Sequence, residues 1–180
     1  MKKLLFIGIL STVLLAACSE EKAKEDSQPA APVEAVKGNE IVIDMSIAND
    51  KSIPLEERIA KIATDLFGTT TIDGNDRNIT IESMGDIYYL EMLNDDAGTK
   101  KNTLDYTQRN TAELIKVLKG VEDMSDIRIN WQANLKDAYG NINPGSAMTV
   151  LFKKGDFDKI DLANFKASDL KEIATYYHVT

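Results

Sequence analysis

The chain contains a single thiol and a single imidazole, the side chains most often used for nucleophilic and general acid–base chemistry. Cys18 lies near the start of the 180-residue sequence and His178 lies near its end. A Cys–His or Ser–His–Asp site needs an imidazole that a third group holds in place, and a zinc site needs several His or Cys ligands. We therefore predict no catalytic residue, no metal site and no cofactor, and we interpret His178 as a surface residue.

Carboxylates could perform acid–base chemistry without histidine, as they do in glycosidases. The sequence has 29 acidic residues, but it does not show which two would face each other across a cleft. Asp156, Asp158 and Asp161 place three carboxylates in a short segment, and alternate Asp residues begin calcium-binding loops, although the glycine and the later glutamate of an EF-hand are missing. We interpret this segment as a solvated loop, and Asp73–Asp76 and Asp95–Asp96 as turns with the same weak calcium signal.

Cys18 follows a segment that is typical of protein export. A basic start precedes a short apolar stretch, Leu4–Leu15, whereas a membrane-spanning helix needs roughly 20 apolar residues. The stretch ends in Leu15-Ala16-Ala17-Cys18. This motif resembles the lipobox of bacterial lipoproteins, in which a signal peptide, here residues 1–17, is removed and the cysteine that follows is lipidated. The resemblance covers only residues 1–18.

The resemblance implies a diacylglyceryl thioether on Cys18, with fatty acyl chains such as palmitate, and often an acylated amine. Each buried CH₂ contributes about 0.8 kcal/mol, so two or three chains make the attachment effectively permanent. The implied location is the extracytoplasmic face of a bacterial cell membrane, or the outer membrane if the host is Gram-negative. Ser19 stands where an aspartate would resemble an inner-membrane retention signal. Residues 19–180 contain no further apolar run of membrane length, so we expect lipid to be the only anchor.

The acidic composition restricts the partners of the mature chain. The formal charge is −8, and removal of Lys2 and Lys3 with the signal peptide lowers it by two, to −10. Nucleic-acid binding needs a basic face, and attraction to anionic lipid needs basic residues as well. We therefore predict no nucleic-acid partner and a membrane contact through the N-terminal lipid. The acidic surface is either only solvated or faces a cationic partner or Ca²⁺.

Residues 18–39 are predicted to form a flexible tether, and residues 40–180 a single domain. The tether is rich in charged and small residues, with Pro29 and Pro32, and cannot bury enough apolar surface to offset its ordering entropy. Its roughly 20 residues would hold the domain a few tens of ångströms from the bilayer. With its thiol lipidated the mature chain forms no disulfide, but a domain of about 140 residues can bury a self-sufficient core.

Hydrophobic periodicity predicts an α+β domain with the element order β-α-β-β-α-β-β-α. The predicted elements are a strand at 40–47, a helix from Pro54 to Gly68, a hairpin of strands 79–82 and 87–93, a helix from Thr103 to Gly120, a strand at 127–135, a return strand at 147–152 and a helix from Ser168 to Tyr177. The first six elements match a ferredoxin-like order. The whole string can also be parsed as a helix-hairpin unit used twice and followed by a closing helix. We expect an antiparallel sheet with helices on one face, and we leave the strand order open.

Adjacent residues of a strand point to opposite faces, so one of Tyr88 and Tyr89 is expected in the core and the other outside it. The strand of Trp131 alternates apolar residues with polar ones. If helices leave one sheet face uncovered, Tyr89 would join these polar residues in a recognition surface. Its members are Tyr89, Arg128, Asn130, Gln132 and Asn134. The alternative is that Trp131 belongs to the core and the outer face is merely solvated.

Three functions are compatible with these residues. The first, which we prefer, is a non-catalytic, lipid-anchored module that binds a protein, a peptide or another envelope component on a sheet face or an edge strand. A narrower version is an inhibitory or exclusion lipoprotein that blocks another surface protein. The second function is a carboxylate-dependent envelope hydrolase, which would have two facing carboxyl groups in a cleft and one displaced pKa. The third is a carrier of small ligands, which a single small domain favours least.

Overall fold

Helices and strands alternate along the described part of the chain, which confirms the predicted α+β class. The computed structural model describes residues 43–136 and 139–180. The elements are, in chain order, α1 (Met45–Ala48), α2 (Leu55–Phe67), β1 (Thr80–Met84), β2 (Ile87–Leu93), α3 (Lys100–Leu118), β3 (Asp126–Lys136), β4 (Ile142–Phe152), α4 (Lys154–Phe157), α5 (Leu170–Ile173) and β5 (Tyr176–Val179). A 3₁₀ turn at Ala167–Asp169 precedes α5. From α2 to β4 the order agrees with the sequence analysis, and it differs at both ends.

The five strands form one mixed sheet whose order in space, β1-β2-β3-β4-β5, is also their order along the chain. The pairs β1–β2, β3–β4 and β4–β5 are antiparallel, whereas β2–β3 is parallel. The prediction of an antiparallel sheet is wrong at this one pair, because the 19-residue helix α3 carries the chain back along the sheet. The succession α2-β1-β2 and α3-β3-β4 corresponds to a helix-hairpin unit used twice. It is not ferredoxin-like, since the described residues contain no strand before α2.

A helical turn takes the place of the first predicted strand. Residues 40–42 lie outside the described residues, and Met45–Ala48 form α1. Asp44 caps this turn, because its carboxylate accepts a hydrogen bond from the backbone N–H of Ser46 at 2.9 Å. The apolar alternation of the predicted strand at 40–47 covers too few residues to distinguish a strand from a single helical turn.

The last predicted helix ends early, and an edge strand follows it. Helix α5 stops at Ile173, and Tyr176–Val179 form β5. Tyr177, which was predicted to end that helix, packs against the core from the strand instead. Its phenol oxygen accepts a hydrogen bond from the side-chain amide of Gln108 on α3 at 2.6 Å. The aromatic and β-branched residues at this end favour a strand, and this preference outweighs the helical spacing.

The hydrophobic core lies between the helices and one face of the sheet. Alternate positions of three strands supply its sheet residues, which are Leu90, Met92, Ile127, Ile129, Trp131, Met148, Val150 and Phe152. Each of the five helices adds at least one buried residue to the same cluster. The helices therefore cover one face of the sheet, as predicted, and the described residues place no helix on the opposite face.

Two buried threonines connect α3 to the sheet. The hydroxyls of Thr107 and Thr111 donate to the carbonyl oxygens four residues earlier, at 2.7 and 2.8 Å. Thr107 also accepts a hydrogen bond from the side-chain amide of Asn94, and Thr111 accepts one from the indole N–H of Trp131 at 2.7 Å. These hydroxyls satisfy polar groups that an apolar helix stripe would leave unpaired. Thr103, where this helix was predicted to begin, lies within α3, and Thr99 caps the helix instead.

A buried arginine holds the N-terminal elements together. The Arg58 side chain is 2% exposed and donates to the backbone carbonyls of Ile53 at 3.0 Å and Ala48 at 2.8 Å. Its two terminal nitrogens also donate to both carboxylate oxygens of Asp123, at 2.8 and 2.6 Å. One guanidinium therefore joins α1, α2 and the segment after α3 through charge-assisted hydrogen bonds.

We expect Asp123→Asn to lower the free energy of unfolding at neutral pH by about 1–2 kcal/mol. A fully buried pair would cost about 3–5 kcal/mol, but the Asp123 side chain is 36% exposed and water screens it. Hydrogen bonds from Arg58 hold the pKa of Asp123 below its usual value in the folded state. The stabilisation is therefore present above the unfolded-state pKa and is lost as the pH falls through the folded-state pKa.

Urea unfolding at neutral pH and at about pH 3 tests this expectation. Wild type should lose more stability than Asp123→Asn between the two pH values. The matched control is Asp65→Asn, which breaks the exposed Lys61–Asp65 pair within α2 and should change stability by about 0.5 kcal/mol or less. Equal effects of the two substitutions would contradict a special role for the Arg58 pair.

Candidate binding surface

The sheet face opposite the core, here called the outer face, carries polar and aromatic side chains in two rows. The first row crosses the sheet through Glu82, Tyr89, Arg128, Leu151 and Tyr176, and the second through Thr80, Glu91, Asn130, Thr149 and His178. Every row member is aligned with its neighbour in the strand register. The outer face is therefore continuous over all five strands, or about 20 Å across four strand spacings.

Four of the five residues of the predicted recognition surface, Tyr89, Arg128, Asn130 and Gln132, lie on this face, on the parallel strands β2 and β3, whereas Asn134 lines a cavity near the end of β3. Tyr89 is aligned with Arg128, and Asn130 and Gln132 follow Arg128 at alternate positions of β3. The guanidinium carbon of Arg128 lies 6.0 Å from the centre of the Tyr89 ring, within the range of a cation–π contact. The structure thus brings the predicted residues together, although whether they bind a partner stays a prediction.

A polar network holds Asn130 at the centre of the outer face. Its side-chain amide donates to Glu91 at 2.7 Å, and its side-chain oxygen accepts from Ser146 at 2.7 Å and from Thr149 at 3.0 Å. Asn130 uses both ends of its side chain inside the sheet, so it positions its neighbours. The sequence analysis missed Glu91, Ser146 and Thr149, because only the register between strands places them around Asn130.

The edge strand β5 extends the outer face. Tyr176 is 47% exposed, and its ring centre lies 6.4 Å from that of His178. His178 is exposed, and Thr149 of β4 is its partner in the register. The position of His178 on a solvated strand edge agrees with its interpretation as a surface residue.

Trp131 and Tyr88 point into the core instead. Trp131 is fully buried, and Phe67 of α2 meets its ring edge-to-face at 5.3 Å between ring centres. Tyr88 packs against the core cluster, and burial raises the pKa of its phenol, since the charged phenolate would be poorly solvated there. Of the two adjacent tyrosines, Tyr88 is thus the core residue and Tyr89 the outer one.

The acidic segment at 156–161 is not a solvated loop throughout. Asp156 is buried and accepts hydrogen bonds from the backbone of Lys153 at 3.0 Å, from Thr175 at 2.7 Å and from Lys159 at 2.8 Å. Burial alone would raise the pKa of Asp156, but the hydrogen bonds from Lys159, Thr175 and Lys153 outweigh it and lower this pKa. Asp156 therefore joins α4 to the segment before β5. In residues 43–136 and 139–180, no three His, Cys, Asp or Glu side chains are arranged to hold a metal ion.

Asp95 is likewise a buried residue rather than a simple turn residue. Its carboxylate accepts a hydrogen bond from Arg77 at 2.8 Å and another from the backbone of Ile72 at 2.9 Å. Arg77 also donates to the carbonyls of Leu93 at 2.9 Å and Thr70 at 3.1 Å. This buried pair fixes the segment between α2 and β1 against the end of β2.

Two cavities lie away from the outer face, and both have the volume of a small-ligand site. The first, of about 650 Å³, lies beside the Arg77–Asp95 pair and is lined by residues of α2, α3 and the segment before β1. The second, of about 580 Å³, lies at the free end of the β3–β4 hairpin. Among the described carboxyl groups, every resolved pKa shift is downward, whereas a catalytic general acid needs a raised pKa.

Comparisons with known proteins do not indicate a function for this chain. No protein-family model, no curated protein and no solved structure matches the chain. Within the described ranges, the helices are too short or too polar to cross a membrane. Cys18, the signal peptide and the tether lie outside those ranges, so lipidation stays a prediction from the sequence.

Proposed function

We propose that this protein is a lipid-anchored, non-catalytic binding module on the extracytoplasmic face of a bacterial membrane. The observation that carries the proposal is the outer face, where aromatic and hydrogen-bonding side chains line a sheet surface on which residues 43–136 and 139–180 place no helix. The lipobox-like motif at Cys18 supplies the anchor, and residues 19–39 supply a tether that leaves the domain room to reach a partner.

A protein partner suits the outer face better than a small molecule does. The face is broad, and its predicted residues include tyrosine and arginine, which are enriched at protein interfaces and their hot spots. The contact between Tyr89 and Arg128 and the hydrogen bonds of Asn130 reduce the side-chain entropy that binding would cost. Arg128 shares the face with Glu82 and Glu91, so the face carries both signs of charge, which supports selection of a partner by charge pattern.

The inhibitory or exclusion lipoprotein is a narrower form of the same proposal, because it would use the same surface to block its target. A hydrolase receives less support. Asp95 lines both cavities, but its carboxylate forms an ion pair with Arg77. The described carboxyl groups include none with a resolved upward pKa shift.

Site-specific crosslinking in living cells tests the outer face. A photoreactive residue in place of exposed Glu82 should give a discrete protein adduct, since position 82 lies in the same row as Tyr89 and Arg128. The control position is Lys61, which is exposed on α2, on the helix-covered side of the sheet. Adducts of equal yield from both positions, or adducts with glycan or lipid alone, would contradict a protein partner at this face.

Arg128→Ala should reduce the yield of the position-82 adduct about fivefold or more. Truncation of a hot-spot residue costs more than about 1 kcal/mol of binding free energy, and this change also frees Tyr89 to move. Lys61→Ala is the matched control, because it removes an exposed cation from the other side of the domain and should leave the yield unchanged. An unchanged yield in Arg128→Ala would remove Arg128 from the proposed interface.

A further inference from the structure

The β3–β4 hairpin projects beyond the strands on either side of it. β2 ends at Leu93, in register with Gln132, and β5 pairs with β4 only over Met148–Leu151. The free end of the hairpin therefore has no neighbouring strand in the described sheet. The cavity of about 580 Å³ lies beneath this free end and beside the first turns of α3, and is here called the hairpin cavity.

One side of the hairpin cavity is apolar. Its aliphatic lining residues are Leu104 of α3, Leu135 and Ile142 of the hairpin, and Val179 of β5. Ile142 is 66% exposed and Leu135 is 41% exposed, so both apolar side chains remain accessible to a ligand. Gly145 leaves space for the Leu135 side chain, since a Cβ atom at position 145 would lie only 2.6 Å from Cδ1 of Leu135.

The other side contains a buried acceptor without a donor. Asn94 lines the cavity and is only 5% exposed. Its side-chain nitrogen donates to Thr107, whereas its Oδ1 atom is buried and has no hydrogen-bond partner in the part of the chain that the structure describes. Thr107 cannot serve as that partner, because its hydroxyl already donates to the carbonyl of Thr103 at 2.7 Å.

Reversing the Asn94 amide would not remove the problem. In the reversed side chain, the single proton of the Thr107 hydroxyl would have to serve either the Thr103 carbonyl or the Asn94 oxygen, and the amide N–H groups would be left unpaired. Buried polar atoms are nearly always hydrogen-bonded in native proteins. An unpaired carbonyl in the wall of a cavity thus points to a ligand that brings an N–H or O–H donor.

The charges around the cavity largely compensate each other. Asp95 is paired with Arg77. Asp96 accepts hydrogen bonds from the Gly98 backbone at 2.8 Å and from Thr103 at 3.3 Å, and it lies just before α3, where the positive helix end favours an anion. Asp73 and Lys100, which also line the cavity, have opposite signs. Among these groups the Asp96 charge is left without a counter-charge, and it disfavours an anion. Because its hydrogen bonds and the helix end already stabilise Asp96, a cation gains little there, so the site favours a neutral ligand.

We propose that the hairpin cavity binds a small neutral ligand with an N–H or O–H donor on a short aliphatic body. The donor meets Oδ1 of Asn94, and the aliphatic part lies against Leu104, Leu135 and Ile142. This site is separate from the outer face and does not depend on the function proposed for that face.

Titration of the isotope-labelled full-length protein in detergent with four probes of equal chain length tests the proposal. Pentanamide and pentanol should shift the backbone amide signals of Asn94, Thr107 and Leu135, whereas pentylammonium and pentanoate should bind about tenfold more weakly. The amide and the alcohol distinguish N–H from O–H donors. Signal shifts that are absent, spread over the whole domain, or equal for the charged probes would overturn the proposal.

Two substitutions in the cavity complete the test. Asn94→Leu removes the unpaired acceptor, so binding should be lost while the melting temperature does not fall. Ala133→Leu fills the cavity from β3 without touching Asn94 and should also abolish binding. Asn110→Leu, in the wall of the other cavity, is the matched control and should bind pentanamide as wild type does. Wild-type affinity in Asn94→Leu or in Ala133→Leu would refute the site.

Discussion

Cys18→Ser is expected to move the protein from the membrane fraction to the soluble fraction. A serine hydroxyl cannot form the thioether that the lipobox resemblance implies, so the acyl chains would be missing. Each buried CH₂ contributes about 0.8 kcal/mol, and the loss of two chains therefore removes far more free energy than a surface contact could replace. The acidic mature chain offers no basic segment that would bind anionic lipid in their place.

Cell fractionation after alkaline extraction measures this change, and incorporation of a labelled fatty acid gives an independent readout. Ser19→Ala is the matched control, because it alters the neighbouring residue and should leave both anchoring and labelling intact. A Cys18→Ser protein that remains in the membrane fraction with its label would show that another group is acylated. One that remains there without label would show that lipid is not the anchor.

Trp131→Ala is expected to lower the free energy of unfolding by about 3–5 kcal/mol. Trp131 is fully buried on β3, meets Phe67 edge-to-face and donates its indole N–H to Thr111. The substitution therefore creates a cavity and removes the link between the sheet and α3. A loss of this size is a large part of the stability of a typical domain, so the melting temperature should fall and the sample should unfold at much lower urea concentrations.

Two further substitutions separate the packing of Trp131 from its hydrogen bond. Thr111→Val keeps the shape of the helix residue but leaves a buried indole N–H unpaired, which costs about 1–3 kcal/mol. Trp131→Phe removes the N–H and keeps most of the aromatic volume, so it should cost less than Trp131→Ala. If Thr111→Val were as stable as wild type, the indole N–H would have to find another partner, and the bond to Thr111 would not contribute to stability.

Periodicity alone located the long elements of the middle of the chain. The apolar stripe of α2 is bounded by Pro54 and by Gly68, whose φ of 72° only glycine adopts easily, and the observed helix lies between them. The turn between β1 and β2 includes Gly85 with a φ of 66°, as a tight hairpin requires. In these segments the local conformational preferences and the burial pattern indicate the same structure, so the sequence alone was enough to predict it.

Sequence-based predictions failed where a segment was short, or where the structure depends on contacts between residues that are distant in the sequence. A few alternating residues near Met45 fit a strand, yet the cap at Asp44 makes them a helical turn. The parallel pairing of β2 with β3 was not predictable, because neither strand encodes the direction of its neighbour. Asn130 and Gln132 were placed on one face by alternation alone, whereas the hairpin cavity was missed, since Asn94 and Leu135 meet only through the tertiary fold.

The order of the sheet bears on how the chain assembles. Every strand lies beside the strand that precedes it in the sequence, and no later segment has to insert between two strands already paired. Low sequence separation between contacting elements is associated with fast folding. A chain that emerges N-terminus first during synthesis could thus add one strand at a time to a growing edge, and would expose unpaired backbone only briefly before the next segment covers it.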